Sequence, residues 1–266
     1  MTRYLVDQDP HREHRRQLRI QLILERTFTG RFAREIGAES LRLVEGYRQT
    51  GTVLPVSNTH IERLTAIEFQ MAEATARLIG GRVLAQGKAS GQIIETKFDF
   101  ASFFNNIAMA WIGDEAVRQN IVGISETTRN QIVSLVENGA EEGLGTEEVA
   151  GNITKALPAI SKARGATIAR TEIGSAAENG SIAAAKETGL MLEKQWLSVT
   201  DSRSRPEHAA MNGVIVGMDE VFDVDGVAMK HPKDPAGGAK NIINCRCTTA
   251  FIVIDPFIAA LDAEPA

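Results

Sequence analysis

The chain has 266 residues, of which 43% are apolar and 24% charged, so it is a folded protein with length for one large domain or two ordinary ones. It has no apolar run of the ~18 residues that a membrane span needs and no apolar signal-peptide core near its start, so we expect neither membrane insertion nor standard secretion. The net charge of −5 argues against a molecule that binds nucleic acid over its whole surface.

The first part of the chain has the periodicity of a long amphipathic helix. Apolar residues recur at four-residue steps, at Leu24, Phe28, Phe32 and Ile36. This spacing predicts a helix over about residues 12–48.

A cluster of positive charge lies at the start of this helix. Residues 1–50 hold ten arginines against seven acidic residues, and the densest run contains Arg12, Arg15, Arg16 and Arg19. Two interpretations stay open. The arginines form a solvated helix face, or they contact DNA or an acidic partner surface.

Further helices are predicted up to about residue 189. Gly51 and Pro55 indicate a loop over 49–58. The apolar spacing then predicts helices over about 64–84, 100–112 and 117–136, with Leu78 on the packing seam of the first and a break near residue 90.

Two more helices are expected around Pro158. Thr146, followed by two glutamates, predicts the start of a short helix that ends before Pro158. Ser161 is then the expected cap of another helix, which runs to Gly189. That helix is rich in Ala, Gly and Ser, so we expect a neighbour to approach it closely.

The residue composition of the chain changes after Gly189. Short β-branched pieces alternate with Gly- and Pro-containing turns, which is typical of a small antiparallel sheet. We therefore predict an α+β protein: a helical N-terminal region (1–125), a compact C-terminal domain with helices and a small, mostly antiparallel sheet (126–255), and a tail (256–266).

The two cysteines suggest a metal site. Cys245 and Cys247 are one residue apart, a spacing at which an intrachain disulfide is strained. Together with His208 they supply three ligands suited to tetrahedral zinc, and His231 or Asp201 is a candidate fourth. The alternative is that the cysteines pack as small apolar residues. A structural zinc ion is thus a candidate cofactor, and no cofactor is certain.

Charged residues lie beside these candidate ligands in the sequence. Asp201, Arg203, Arg205 and Arg246 are the residue types of a carboxylate–guanidinium network that fastens loops together. With His208, the same charges could instead position a phosphate and move a proton, as a nuclease or phosphotransferase requires.

Two shorter segments complete the candidate residues. Arg170 and Glu172 are two apart in the Ala-rich helix, do not face each other, and therefore each need a tertiary partner. The piece Ser198-Val199-Thr200 is similar to the Ser-x-Thr element of ADP-ribosyltransferase sites. The chain has no Glu-x-Glu, so we do not expect that activity.

One order of motifs is specific in combination. The segments GLGTEEVAGNI, IARTEI, KQWLSVTDSRSRPEHAAMNG and HPKDPAGGAKNIINCRC follow one another over about residues 120–250. In this order they resemble the phage Mu F-like minor head proteins, also called phage head morphogenesis proteins. The resemblance implies that the motif positions are Arg170, Thr171, Glu172, Trp196, Asp201, Arg203, Arg205, His208, Gly213, Asn244, Cys245, Arg246 and Cys247.

The resemblance also implies a function. It predicts a minor capsid protein of a tailed phage or prophage, made in the bacterial host cytoplasm and carried in the virion, in the head interior or at the portal vertex. Its expected partners are the portal protein and, further, DNA and the scaffold or major capsid protein, with a part in head morphogenesis, DNA packaging or DNA delivery. We expect a structural protein. The alternatives are an enzyme effector, nuclease or group transferase, delivered with the DNA, and a plain DNA-binding protein.

Overall fold

The computed structural model describes residues 3–4, 9–89 and 99–254. The fold is α+β, as the sequence predicts. The helices in these ranges are α1 (Pro10–Thr50), α2 (Asn58–Thr75), α3 (Gly81–Ala89), α4 (Phe100–Gly113), α5 (Glu115–Glu141), α6 (Thr146–Glu187), α7 (Pro206–Ala210) and α8 (Gly238–Ile242). The strands are β1 (Arg3–Tyr4), β2 (Leu192–Leu197), β3 (Ile215–Gly217), β4 (Phe222–Val224), β5 (Val227–Met229) and β6 (Thr248–Val253).

The chain forms two compact units, each assembled from separate segments. Within the described ranges, unit 1 draws on Met1–Leu24, Met71–Trp111 and Thr171–Ala266, and unit 2 on Glu25–Gln70 and Ile112–Arg170. The boundary that the sequence predicts between residues 125 and 126 falls inside α5, and it stays a prediction. The expected break near residue 90 and the tail 256–266 lie outside the described residues.

Helix α1 confirms the predicted long helix. Leu24, Phe28, Phe32 and Ile36 are all buried, which places the four-residue repeat on the packed face. The chain leaves the helix at Gly51, whose φ of +73° lies in the left-handed region that favours glycine. The predicted loop begins there.

The second helix departs from its predicted seam at its C-terminal end. Leu78 is 49% exposed, whereas Ile79 is buried. A single π-helical turn, Ala76–Gly80, follows α2 and advances the register by one residue, so that Ile79 takes the inward position. The prediction for Leu78 is therefore wrong.

Helix α6 corrects the prediction of two separate helices around Pro158. It runs without a break from Thr146 to Glu187, with Pro158 inside. Pro158 is exposed, so the helix carbonyl that lacks its N–H partner faces water, which can replace the lost hydrogen bond. Ser161 is not a cap; it is buried mid-helix, with Oγ only 3.3 Å from where a Cβ on Gly37 would lie.

Unit 1 contains an antiparallel four-stranded sheet in the order β1-β6-β2-β3. Strand β2 pairs with β6 along its full length, from Leu192 opposite Val253 to Leu197 opposite Thr248. Strands β4 and β5 form a separate hairpin. The sheet thus brings residues near 197 and near 248 to the same end.

Close helix packing in unit 1 follows from glycine, as the small-residue composition of α6 predicts. A Cβ on Gly80 would lie 2.8 Å from the carbonyl oxygen of Gly180, and one on Gly180 would lie 3.0 Å from Cα of Ala76. Only glycine allows the backbones to approach this closely.

No described helix is long and apolar enough to cross a membrane.

Candidate functional site

The three predicted metal ligands lie together at the end of the sheet in unit 1. His208 is the third residue of α7, which begins at Pro206. Cys245 and Cys247 lie just before β6, in the segment that follows α8. All three side chains are buried, and their ligand atoms lie within 4.8 Å of one another.

The contacts in this cluster converge on one ring nitrogen. Nδ1 of His208 lies 3.4 Å from Sγ of Cys245 and 3.6 Å from Sγ of Cys247. On its other side, Cys247 Sγ lies 3.6 Å from the hydroxyl oxygen of Ser198. We call His208, Cys245 and Cys247 the His-Cys-Cys cluster.

Asn241 decides which nitrogen of His208 carries the proton. The Asn241 amide nitrogen donates to the carbonyl of Gly237 at 3.0 Å, so its oxygen is the atom that faces the imidazole. That oxygen lies 3.3 Å from Nε2 of His208 and can only accept, so Nε2 carries the hydrogen. The lone pair on Nδ1 is therefore directed at the two sulfur atoms.

The two thiols differ in acidity. The side-chain contact with Cys247 holds the pKa of the Cys245 thiol well below its usual value. The hydrogen bond to Cys245, together with burial, raises the pKa of Cys247. Close contact thus drives the pKa values of the two thiols apart.

Aromatic side chains close the inner side of the cluster. Trp196 on β2 meets His208 edge to face at a ring-centroid distance of 5.5 Å, and Phe222 on β4 meets Trp196 at 5.3 Å. Trp196 and Phe222 are fully buried. The imidazole is therefore held in one orientation by packing on one side and by Asn241 on another.

A small cleft opens over the outer side of the cluster. It is lined by the cluster itself and by Val199, Arg203, Ser204, Arg205, Asn244 and Arg246, and its cavity volume is about 20 Å³. That volume accommodates one water-sized group. Three arginines at the rim give the cleft a positive character.

The predicted charge network is present at this rim. Arg246 binds both carboxylate oxygens of Asp201, at 2.8 and 2.6 Å, and this hydrogen bonding holds the pKa of Asp201 well below its usual range. Arg205 donates to the carbonyl of Ile243 at 2.7 Å. These contacts tie the segment after β2 to the segment that carries the cysteines.

Comparison with known proteins identifies part of the chain. Residues 130–250 match the model of the family described as Phage Mu protein F like protein, over almost the whole stretch in which the sequence shows the resemblance. Residues 130–250 are a phage Mu protein F-like region. We refer to them below as the Mu F-like region.

Curated relatives also match. The chain is 25% identical over 205 residues to minor head protein GP7 of Bacillus phage SPP1, covering 76% of this chain and 63% of that protein. It is 29% identical over 154 residues to NAD(+)–arginine ADP-ribosyltransferase EFV of Enterococcus faecalis, covering 57% of this chain and 31% of that protein. An uncharacterized Bacillus subtilis protein, YqbB, is 25% identical over 168 residues, 60% of this chain and 53% of that protein. The chain thus spans less than two thirds of each relative, and no solved structure matches it.

The motif fragments of the Mu F-like region, separated in sequence, converge in the structure. The hydroxyl of Thr171 on α6 accepts a hydrogen bond from the backbone N–H of Asn244 at 3.3 Å. Gly213, at a φ of +90°, donates its N–H to the carbonyl of Trp196 at 2.8 Å. Asn244 itself takes a left-handed φ of +56°, at the turn just before Cys245.

The remaining predicted charged residues lie at the rim of the cleft or away from the cluster. Arg170 pairs with Glu25 of α1 at 2.7 Å in unit 2, and Arg203 is exposed, 3.6 Å from Asp201. Glu172 is buried, and burial raises its pKa to about 7. The tertiary partner expected for Arg170 is thus present.

Neither suggested fourth ligand joins the cluster. Among the described residues, the group of possible metal ligands contains only His208, Cys245 and Cys247. Nδ1 of His231 lies 2.8 Å from the carbonyl oxygen of Pro232, and both oxygens of Asp201 are taken by Arg246. Each of these side chains is paired with a nearby group, and this is why neither reaches the cluster.

Two buried polar side chains of unit 1, Lys233 and Glu178, are not among the residues predicted from the sequence. Lys233 is 1% exposed, with its stem against Gly174 and its Nζ 3.4 Å from the side-chain oxygen of Gln21. Glu178 is fully buried and accepts from the backbone N–H of Thr249 at 2.9 Å, and burial raises its pKa to about 7. A carboxylate amid the Ala-rich stretch of α6 is the signal that could have singled out Glu178.

The arginines of the N-terminal cluster are all exposed on α1. Arg15 lies 3.8 Å from Asp9 and Arg16 lies 3.6 Å from Glu13, whereas within the described ranges Arg12 and Arg19 have no ion-pair partner. His14, in the same stretch, is instead buried and lies 2.6 Å from the hydroxyl of Thr248. The contact of this face with DNA or a partner stays a prediction.

Proposed function

We propose that this chain is a minor head protein of a tailed phage or prophage, made in the host cytoplasm and incorporated in the virion. The observation that carries this proposal is the similarity to the SPP1 minor head protein over 205 residues. The Mu F-like region is much shorter than 205 residues, so the similarity extends into the helices outside it. Residues inside and outside the Mu F-like region therefore both support the role of a minor head protein.

The finer proposal is that the protein associates with the portal and acts in head morphogenesis, DNA packaging or DNA delivery. The exposed arginines at residues 12, 15, 16 and 19 support it, because they offer positive charge on one helix for an acidic surface. DNA and the scaffold or major capsid protein are further candidate partners. In this role the His-Cys-Cys cluster maintains the fold.

The experiment is quantitative mass spectrometry of purified, DNase-treated particles and of emptied particles, with the portal protein as the internal standard. We expect a small, fixed number of copies per portal in both samples. Loss from emptied particles would instead mean delivery with the DNA. Absence from both samples would refute the assignment to the virion.

Portal association is tested separately by capture of the chain on purified portal protein. We expect binding that weakens as salt is raised and that falls when the four arginines are replaced by serine. Equal capture of this variant would show that the arginine face is not the contact. No capture of the unsubstituted chain would contradict the portal proposal while leaving the virion assignment intact.

A second candidate function is a packaged enzyme effector. The similarity to the Enterococcus faecalis ADP-ribosyltransferase favours this candidate, although the match spans less than a third of that enzyme. The test is to assay the purified chain for NAD⁺ turnover and for nuclease activity, with His208→Ala as the comparison. An activity lost in a folded His208→Ala protein would favour the effector, and no activity in either would favour the structural role.

A further inference from the structure

We propose that Nδ1 of His208 and the Sγ atoms of Cys245 and Cys247 bind one zinc ion, whose fourth position opens into the cleft. This inference concerns a site within the Mu F-like region and does not depend on the proposed role in the phage head.

The spacing of the donor atoms fits a tetrahedral zinc ion. With Zn–S bonds of about 2.3 Å and Zn–N bonds of about 2.0–2.1 Å, a nitrogen and a sulfur ligand lie about 3.6 Å apart. The two nitrogen–sulfur distances in the cluster are 3.4 and 3.6 Å. Both nitrogen–sulfur distances therefore match those of a tetrahedral zinc ion.

The tautomer that Asn241 favours is the one that metal binding requires. Because Asn241 accepts from Nε2, the lone pair of Nδ1 is free to coordinate. Asn241 is in turn fixed by its bond to Gly237, so the orientation of the ring is set from outside the cluster. Such an outer hydrogen bond is the usual companion of a histidine ligand.

The donor set favours zinc over other metals. Two thiolates and one imidazole are soft to borderline ligands, which disfavours Mg²⁺ and Ca²⁺. An iron–sulfur cluster normally requires four cysteines, and the chain has two.

The fourth ligand is a water molecule in this proposal. Within the described residues no further His, Cys, Asp or Glu joins the group, and the cleft has room for one water-sized group. Arg246 and Arg203 at the rim offset the negative charge of the thiolates. Three protein ligands with an open position is the arrangement of an accessible zinc site.

The competing description is two reduced thiols that pack without metal. In that case one S–H donates to Nδ1 of His208 and the Cys247 thiol donates to Ser198, which satisfies both groups. The two descriptions predict different metal content and different thiol reactivity.

The first measurement is the metal content of the full chain after dialysis in metal-free buffer. We expect one zinc per chain. Protein stripped with a chelator should take up one Zn²⁺ in competition with a chromophoric chelator, and with Co²⁺ it should show a thiolate-to-cobalt charge-transfer band and tetrahedral ligand-field bands. A folded, stripped protein that binds neither ion would overturn the proposal.

Variants locate the ion. Cys245→Ser and Cys247→Ser should each weaken zinc binding by at least ~100-fold, and Asn241→Ala by ~10–100-fold, because it releases the ring of His208. The matched control is His231→Asn, which should keep one zinc per chain. Loss of zinc in a control that is folded by circular dichroism would contradict the assigned ligand set.

A further readout does not depend on how the variants fold. In the unsubstituted chain, zinc should protect both cysteines from a thiol reagent, and removal of zinc should expose them. Added zinc should also raise the melting temperature of the stripped protein. Thiols that react equally with and without added zinc would show packed cysteines and no metal site.

Discussion

The hydroxyl of Thr171, on α6, accepts a hydrogen bond from the backbone N–H of Asn244 at 3.3 Å. The two residues are 73 positions apart and belong to different motif fragments of the Mu F-like region. Asn244 directly precedes Cys245, at a left-handed φ of +56°. This bond therefore anchors the cysteine-bearing turn on the long helix.

Thr171→Val tests that anchor. Valine keeps the shape of threonine and removes the acceptor, so we expect the free energy of unfolding in urea to fall by about 1 kcal/mol. Thr171→Ser retains the hydroxyl and should lose less. An equal loss in both variants would mean that the methyl group of Thr171, and not its hydroxyl, stabilises this position.

Burial of Glu178 predicts a specific pH dependence. Its pKa is raised from 4.5 to about 7 in the folded chain, with desolvation opposed by the charge of Lys233, so the folded chain holds a proton that the unfolded chain has lost. The stability contributed by this carboxyl is therefore full below pH 4.5 and declines as the pH rises to about 7. Glutamine cannot ionise and keeps an acceptor for Thr249.

The measurement is the difference in unfolding free energy between Glu178→Gln and the unsubstituted chain. We expect this difference to shift in favour of the variant by roughly 3 kcal/mol between pH 4.5 and 7, and then to level off. Taking the difference cancels the other titrating groups, such as His14. Glu187→Gln, on the exposed end of the same helix, is the control, and a flat difference for Glu178→Gln would contradict the assigned burial effect.

Two glycines of α6 should respond oppositely to alanine. A Cβ on Gly165 would lie 2.7 Å from the backbone nitrogen of Ala33 in α1, so Gly165→Ala should destabilise unit 2 by about 1–3 kcal/mol. A Cβ on Gly151 would meet nothing within 4 Å, and Gly151→Ala should stabilise the helix by about 0.5–1 kcal/mol. Denaturant unfolding of the two variants measures both effects. Stabilisation by Gly165→Ala would contradict the close approach of α1 and α6 in this unit.

The arginine face of α1 should control any binding to DNA. Replacing the arginines at 12, 15, 16 and 19 with serine should flatten the plot of log affinity against log salt, by roughly 0.9 for each phosphate contact removed. The control replaces four exposed basic residues elsewhere: Arg63, Arg118, Lys155 and Lys162. Equal flattening in both variants would indicate a general charge effect, and no change in the first would exclude this face as the DNA contact.

The sequence alone determined the local structure wherever a period was strong. The four-residue repeat from Leu24 to Ile36 predicts α1, and these side chains are buried as expected. Prediction failed where tertiary context outweighed local preference. Pro158 predicts a helix end, yet α6 continues through it, with Leu157 and Ser161 buried on either side of the proline.

The residues of the candidate site, too, could be predicted only in part from the sequence. His208, Cys245 and Cys247 could be chosen from residue type alone, because few side chains combine as soft metal ligands. Asn241 could not be chosen, since its role depends on lying 3.3 Å from Nε2 of His208. Asp201 was a reasonable fourth ligand by type, but Arg246 occupies both of its oxygens.

The sequence by itself determined the α+β class, the long helices and the order of motifs, because periodicity and residue type are local properties. The tertiary structure alone decided which polar groups are buried and which atoms face one another. Strand pairing between β2 and β6 places Trp196 opposite Thr249. Helix α6 adds Thr171 and Glu178, which are far away in the sequence. Those contacts depend on how distant segments pack, which no local pattern specifies.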